Sequence, residues 1–203
     1  SDGQDNTVGG TGAGANFSGT DATGNTLFGK DAGNDITTGD NNSVLGKAAL
    51  SLNTTGYSNV AIGANSLDAN TTGYNNTGVG YNSLTDNTTG IHNTGLGDLA
   101  LSQNTTASNN TAVGYKCLEA NTTGASNVAL GTHALDSNTT ASNNTAIGFE
   151  AVQSNTTGIF LTGVGSGALD ANTTGSSNVG IGKDALGANT TGAENVAVGT
   201  KAL

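Results

Sequence analysis

The stretch NTTGYSNVAIGANSLDA at residues 53–69 decides the fold, because variants of it follow one another along most of the chain. Its first tripeptide recurs at a constant spacing of 17 residues, and the nine copies begin at Asn53, Asn70, Asn87, Asn104, Asn121, Asn138, Asn155, Asn172 and Asn189. In the same frame Ile36 begins one earlier unit and Gly19 begins a more divergent one, which gives eleven units over residues 19–203. A constant period without insertions is typical of architectures in which each repeat packs on the next.

We number the positions of each unit from 1 to 17, so that residues 53–69 form one complete unit. Position 11 is glycine in all eleven units, including Gly63, Gly80, Gly114 and Gly148. An invariant glycine predicts a backbone bend with positive φ, or a close approach of another backbone segment, since a Cβ atom disfavours both.

Two positions carry large aliphatic side chains and are predicted to form the core. Position 10 is a large hydrophobic residue in every unit, as in Ile62 and Val113, and position 15 is Leu or Val in every unit but the first, as in Leu118. Small residues at position 14 include Cys117, which we interpret as a small buried hydrophobic residue.

Asparagine recurs at positions 1 and 7 of the unit. Position 7 is Asn in ten units, including Asn59, Asn76 and Asn110. Stacked units would place each Asn above its copies, so that the side-chain amides hydrogen-bond along the stack. The sequence therefore predicts asparagine ladders.

The unit is too short for two helices, and its Gly and Asn content opposes even one. Positions 7 to 10 alternate with the period of two that is typical of a strand, which places positions 8 and 10 on one face. A second short strand is expected around positions 13 to 15. We therefore predict an all-β fold, a parallel β-solenoid (β-roll) of 17-residue coils with a step of ~4.8 Å between coils. Residues 1–18 lie out of frame and are interpreted as an N-terminal cap, linker or attachment segment.

The composition limits the partners. The chain has 203 residues with 15 acidic and five basic side chains, a formal charge of −10 and only 33% hydrophobic residues. A nucleic-acid surface needs clustered Lys and Arg, so DNA and RNA are excluded as partners. No segment approaches the ~20 apolar residues of a membrane-spanning helix, so membrane insertion is not expected. Because a stack of thin coils buries little apolar area, we expect self-association, either as a homotrimer or as a head-to-tail filament.

The segments NNTAVGYKCL at residues 109–118 and SNVAIG at residues 58–63 carry a family resemblance. They resemble the Asn-Thr-Ala-Val-Gly-Tyr-x-Ala-Leu repeats of phage tail-fibre-like and bacterial surface-fibre proteins, and the shorter core is similar to head repeats of trimeric autotransporter adhesins. The resemblance implies a left-handed parallel β-roll, a homotrimer and an elongated stalk or head outside the cell, on the cell surface or on a virion. The 17-residue spacing is longer than the usual unit of the adhesin heads.

Three functions follow as expectations. The first is a non-enzymatic structural segment of an extracellular or virion fibre or filament. The second is an adhesin head that binds a host-cell surface or a glycan receptor. The third is an ice-binding solenoid that uses the repeated threonines at positions 2 and 3, although consecutive strand residues face opposite ways and would give one outward column.

Candidate chemistry is sparse. His92 and His133 occupy variable positions, and the acidic residues at position 16 alternate with neutral ones, so no enzyme activity and no cofactor is predicted. Asp31, Asp35 and Asp40 lie among Gly and Asn and are weak calcium candidates, since Ca²⁺ prefers oxygen ligands. Ordinary polar turns are the alternative.

Each Asn-Thr-Thr tripeptide is also an N-glycosylation sequon, which makes the nine position-1 asparagines candidate glycosylation sites. The alternative is that the sequons are incidental to the asparagine ladder. Further sequons begin at Asn16, Asn41, Asn75, Asn109 and Asn143.

Overall fold

A computed structural model describes residues 5–18 and 21–203 of the chain. These residues contain twelve strands of three residues each and no helix. The strands are β1 (Thr7–Gly9), β2 (Thr26–Phe28), β3 (Ser43–Leu45), β4 (Val60–Ile62), β5 (Thr77–Val79), β6 (Thr94–Leu96), β7 (Thr111–Val113), β8 (Val128–Leu130), β9 (Thr145–Ile147), β10 (Thr162–Val164), β11 (Val179–Ile181) and β12 (Val196–Val198). Accordingly, no helix in the described ranges could cross a membrane.

All twelve strands form one parallel sheet in chain order. From β2 onward each strand pairs with the next at the same offset, so that Val60 lies beside Thr77 and Ala61 beside Gly78. A constant offset with parallel pairing means that the chain climbs by one coil per repeat. The predicted all-β parallel solenoid with a 17-residue period is confirmed.

Each coil contains one strand, so the prediction of a second strand around positions 13 to 15 is wrong. Positions 13 and 15 have left-handed backbone conformations, as in Asn65 (φ 56°) and Leu67 (φ 54°). Residues with positive φ interrupt an extended backbone. Hydrogen bonds between coils nevertheless continue through these turns: Asn65 N–H donates to Lys47 O of the preceding coil, and Leu67 N–H donates to Ser83 O of the following coil, both at 3.0 Å.

The core lies between positions 9, 14 and 15, as shown by the complete burial of Ala112, Cys117 and Leu118. Position 10 lies on the opposite side of the strand and points outward, so that Ile62 is 39% exposed and Val113 is half-buried. The prediction that position 10 forms the core is therefore wrong. The alternation was correct, but the small side chain of position 9 is the one that points inward.

Limited space inside the coil explains this orientation. A Cβ atom added to Gly78 at position 9 would lie 2.6 Å from Ser66 Oγ and 3.3 Å from Leu67 Cγ of the preceding coil. The position-15 leucine fills the interior, and a large residue at position 9 would collide with it.

The coil that contains β2 shows the reverse arrangement, with a large position 9 beside a small position 15. A Cβ atom on Gly33, which stands where later coils have leucine, would lie 3.0 Å from both methyl groups of Leu27. Leu27 at position 9 is fully buried. The two positions therefore share one volume, which either of them can fill.

Residues 5–18, predicted to be a cap, linker or attachment segment, add one further coil to the stack. Strand β1 pairs in parallel with β2, placing Thr7 beside Thr26. Asn6 continues the ladder, since its Oδ1 accepts from Asn25 N–H at 2.8 Å. Residues 1–4 lie outside the described ranges.

Candidate functional site

The outward side of the parallel sheet carries a continuous row of large hydrophobic side chains beside a row of Thr, Ser and Val. We define the outer face as the side chains at positions 8 and 10 of strands β2–β12. Position 8 is Thr, Ser or Val in every coil. Position 10 is always a large hydrophobic residue, namely Phe28, Leu45, Ile62, Val79, Leu96, Val113, Leu130, Ile147, Val164, Ile181 and Val198. With ~4.8 Å between strands, the outer face is about 50 Å long.

Charged groups avoid the outer face. Positions 8 and 10 contain no charged residue, although the chain has 20 of them. The five lysines lie just beyond the glycine bend, at position 12 or 13, and are Lys30, Lys47, Lys116, Lys183 and Lys201. Acidic residues share these two positions, namely Asp31, Asp98, Glu150 and Asp184. The outer face is therefore an uncharged strip with charges of both signs along one border.

The position-11 glycines end each strand and bring successive coils together. Gly63, Gly80, Gly114 and Gly148 have φ values of 125°, 139°, 137° and 139°. A Cβ atom on Gly114 would also lie 2.7 Å from the carbonyl oxygen of Gly131 in the next coil. Both expected reasons for glycine, positive φ and close approach, therefore operate at the same position.

Position-1 asparagines form a ladder through the interior. Asn70 Nδ2 donates to Asn53 Oδ1 at 2.7 Å and to Gly73 O in its own turn at 3.0 Å. The same pair of bonds recurs from Asn87 to Asn189. Each amide thus closes its own turn and holds the preceding coil.

Position-7 asparagines form a second buried ladder that uses backbone donors. Asn76 N–H donates to Asn59 Oδ1, and Asn110 N–H donates to Asn93 Oδ1, both at 3.0 Å. The Asn110 amide then donates to Gly124 O of the next coil at 2.8 Å. Throughout residues 5–18 and 21–203, every buried side-chain nitrogen and oxygen has a hydrogen-bond partner.

One coil interrupts the second ladder. Leu161 occupies position 7 and is 1% exposed. Its N–H donates to Asn144 Oδ1 at 2.9 Å, but its side chain offers no oxygen to the next coil. Ile159 and Phe160, which precede it, are exposed to solvent.

The two threonines of each unit have different environments. At position 2 the hydroxyl hydrogen-bonds within the stack, as where Thr54 Oγ1 donates to Thr71 O at 3.0 Å. At position 3 the side chain is exposed, as in Thr55 and Thr72. The structure therefore presents one outward threonine column, not two adjacent columns.

Burial separates the two groups of sequons. The position-1 asparagines from Asn53 to Asn172 are fully buried, Asn189 is half-buried, and the amides of Asn70 and Asn87 donate two hydrogen bonds each. A folded coil therefore leaves these amides inaccessible for glycan attachment. The sequon asparagines at position 6, namely Asn41, Asn75, Asn109 and Asn143, are exposed.

The three calcium candidates do not converge on one point. Asp35 Oδ1 accepts from Asn16 Nδ2 at 2.9 Å, and Asp40 Oδ1 accepts from the N–H of Thr23 at 2.8 Å. Asp31 lies 3.9 Å from Lys30 Nζ. Within the described part of the chain, no three His, Cys, Asp or Glu side chains are grouped so that they could hold a metal ion.

The titratable side chains pair locally. His133 Nδ1 lies 2.8 Å from Asp136 Oδ2, and His92 packs edge-on against Tyr74. Burial raises the pKa of the Asp68 carboxyl, although the Thr85 hydroxyl donates to it. Each of these contacts joins two side chains from neighbouring turns or coils. The titratable side chains named here are therefore explained as local contacts at the surface of the stack.

Cys117 is enclosed within the core. Its side chain is fully buried, and this burial raises the pKa of the thiol to about 12. Because the thiolate is the reactive form of cysteine, the folded protein keeps this side chain inert.

Comparison with known proteins gives no relative from which a role could be transferred. The chain matches no protein-family model, no curated protein and no solved structure.

Proposed function

We propose that this chain is a non-enzymatic structural segment of an extracellular or virion fibre. The observation that carries the proposal is the uninterrupted stack: twelve strands in one parallel sheet, joined coil by coil through two internal asparagine ladders. Such a stack is long and thin, and its buried asparagine side chains join successive coils. The resemblance of residues 109–118 to surface-fibre repeats supports the location outside the cell or on a virion.

The way in which the stack is stabilised suits a load-bearing role. Backbone hydrogen bonds link each coil to both neighbours, and the buried amides add side-chain bonds in the same direction. Hydrogen bonds in chains polarise one another, so a ladder is stronger than isolated bonds of the same number. A rod with such links transmits force along its axis without any reactive group.

Immunogold electron microscopy tests this proposal. Antibodies raised against the purified chain are expected to decorate fibres on cells or virions of the organism that encodes it. Antibody pre-absorbed with the purified chain is the control. Label confined to the cell interior, away from any filament, would contradict the proposal.

A glycan-binding adhesin head is a second candidate, favoured by a set of exposed aromatic residues. Tyr81, Tyr115 and Phe149 all occupy position 12 and are exposed, and they recur at every second coil, or about every 9.6 Å. Aromatic side chains with an exposed face are well suited to packing against the apolar face of a sugar ring.

The adhesin candidate has its own test. On a glycan array, the wild-type chain is expected to bind a defined set of sugars, and the variant Tyr81→Ala/Tyr115→Ala is expected to lose them. Thr72→Ala/Thr106→Ala, with two exposed position-3 changes, is the matched control. Equal binding by both variants would remove the aromatic residues from consideration.

A further inference from the structure

We propose that the outer face is the surface through which two copies of this chain bind each other side by side. This inference rests on the proposed fibre function and specifies how the fibre segment assembles. It differs from end-to-end stacking, because the contact runs along the solenoid and uses the side chains of positions 8 and 10.

The area of the outer face suits a stable protein–protein contact. Eight of the eleven position-10 residues are exposed. Their exposed fraction lies between 36% for Ile147 and 68% for Val198. A standard protein–protein interface buries about 800 Å² per partner, and an outer face about 50 Å long offers room for a contact of that size. A row of exposed large hydrophobic side chains on one face is a feature of interaction surfaces.

The distribution of charge selects this face over the rest of the surface. Two copies with a formal charge of −10 each repel one another at most approaches. The outer face carries no charged residue at positions 8 and 10, so two outer faces can meet without burying an ion. Burial of an unpaired charge would otherwise oppose the contact.

The regularity of the outer face makes it complementary to itself. Position-10 side chains such as Leu96, Val113 and Leu130 stand on adjacent strands of one sheet. Two copies therefore have the same spacing of ~4.8 Å, and the ridges of one copy can lie between the ridges of the other. Face-to-face sheets pack in this way at a distance of about 10 Å.

Light scattering coupled to size exclusion tests the proposal with the full chain. The wild-type protein is expected to elute with a mass that is a multiple of 19.7 kDa. The variant Leu96→Lys/Val113→Lys/Leu130→Lys places three charges on the outer face and is expected to elute as a monomer. Its control is Thr89→Lys/Thr106→Lys/Thr123→Lys, which adds the same charge at exposed position-3 sites of the same coils and is expected to remain associated.

Circular dichroism separates a failure of association from a failure of folding, because both variants should keep the wild-type spectrum. Crosslinking gives an independent measurement in the Cys117→Ala background. Val113→Cys is expected to form a crosslinked dimer with a short bis-maleimide, whereas Thr106→Cys is expected not to do so.

The proposal would be overturned by a wild-type chain that stays monomeric at high concentration, or by an outer-face variant that stays associated. A monomer that also produced thermal hysteresis in freezing solutions would favour the ice-binding function over side-by-side assembly. Monomer-wide rods joined end to end would refute the side-by-side contact and leave the fibre function intact, so the two proposals fail separately.

Discussion

At the scale of the residue, the chain uses asparagine where most proteins use leucine. The two side chains have nearly the same shape, and both occur at position 7, as Asn110 and Leu161, fully buried in the same stack. The difference is that an amide can bond to the coils above and below it. Position 7 can therefore be compared within one protein as a polar residue, in Asn110, and as an apolar residue, in Leu161.

Replacing one ladder amide should destabilise the fold. In Asn110→Leu, the Asn127 N–H loses its acceptor, whereas Gly124 O keeps the Asn121 amide as a donor. One buried donor left unpaired costs about 1–3 kcal/mol, and guanidinium unfolding should show a loss in that range.

The reverse change at the interrupted coil is the matched control. Leu161→Asn should provide an acceptor for Asn178 N–H and raise the free energy of unfolding by about 1 kcal/mol. If both substitutions had the same sign, the ladder would not be a source of stability.

Substitution of a position-11 glycine should destabilise the fold for two reasons that can be tested separately. Gly114→Ala introduces a Cβ atom at φ 137° and also places it 2.7 Å from Gly131 O. Gly199 has a similar φ of 128°, but nothing lies within 4 Å of the position of its Cβ atom.

We expect Gly114→Ala to lower the free energy of unfolding by about 3 kcal/mol or more, and Gly199→Ala by about 1 kcal/mol, since only backbone strain operates there. Thermal and chemical denaturation of both variants measure the difference. Equal losses would mean that the close approach of the coils contributes nothing.

Cys117 provides a prediction on pH. The pKa of its thiol is about 12 in the folded chain, against an ordinary value of 9.0. The folded state therefore holds the proton more tightly than the unfolded state, and stability from this group is complete below pH 9 and is lost as the pH rises towards 12. Wild type should lose more stability than Cys117→Ala between these values. A thiol reagent should react with Cys117 only after denaturant is added, and rapid reaction in native buffer would contradict this.

At the scale of the element, the coil is the unit of construction. Each coil bonds only to its two neighbours, so stability is a sum of similar local terms. This predicts that a whole coil can be removed without loss of the fold. Deletion of residues 104–120 should leave the β-type circular dichroism spectrum and a cooperative melt.

Deletion of residues 104–111, less than half a coil, is the control for this experiment. It would leave one truncated coil that lacks Asn104, Asn110 and the first residue of its strand, so both ladders and the strand pairing would be broken at that point of the stack. We expect aggregation or a broad melt. Equal behaviour of the two deletions would mean that register does not control the stack.

At this scale, some features of the coil could be predicted from the sequence and others could not. An unbroken 17-residue period leaves few arrangements other than a stack of coils, and an invariant glycine requires a backbone explanation. Alternation along a strand, however, does not say which face is inside. Ile62 is large and Ala61 is small, so size alone predicts that Ile62 points inward, which is wrong. The interior volume next to Ala61 is already filled by Leu50 of the preceding coil, and the same holds at the equivalent positions of other coils. The left-handed conformation of Leu67 was not predictable either, since leucine rarely adopts it.

At the scale of the whole molecule, the chain separates three kinds of surface. Amide and aliphatic side chains fill the interior. The outer face consists of uncharged side chains and includes the row of large hydrophobic residues, and the remaining surface carries the charged residues. Side-by-side association through the outer face would leave the acidic groups in solvent, where they keep assembled copies soluble. The candidate functional surface, the outer face, is extended and repetitive.

The constant offset between neighbouring strands has a mechanical consequence. The described chain begins in the first coil and ends in the last, so tension applied to its two ends pulls along the axis and opens coils one after another. Each opened coil releases 17 residues, and a fully extended chain of that length spans about 58 Å. A rod of this design would lengthen under force in equal steps and re-form from any surviving coil, so that it acts as an extensible tether with a built-in length scale.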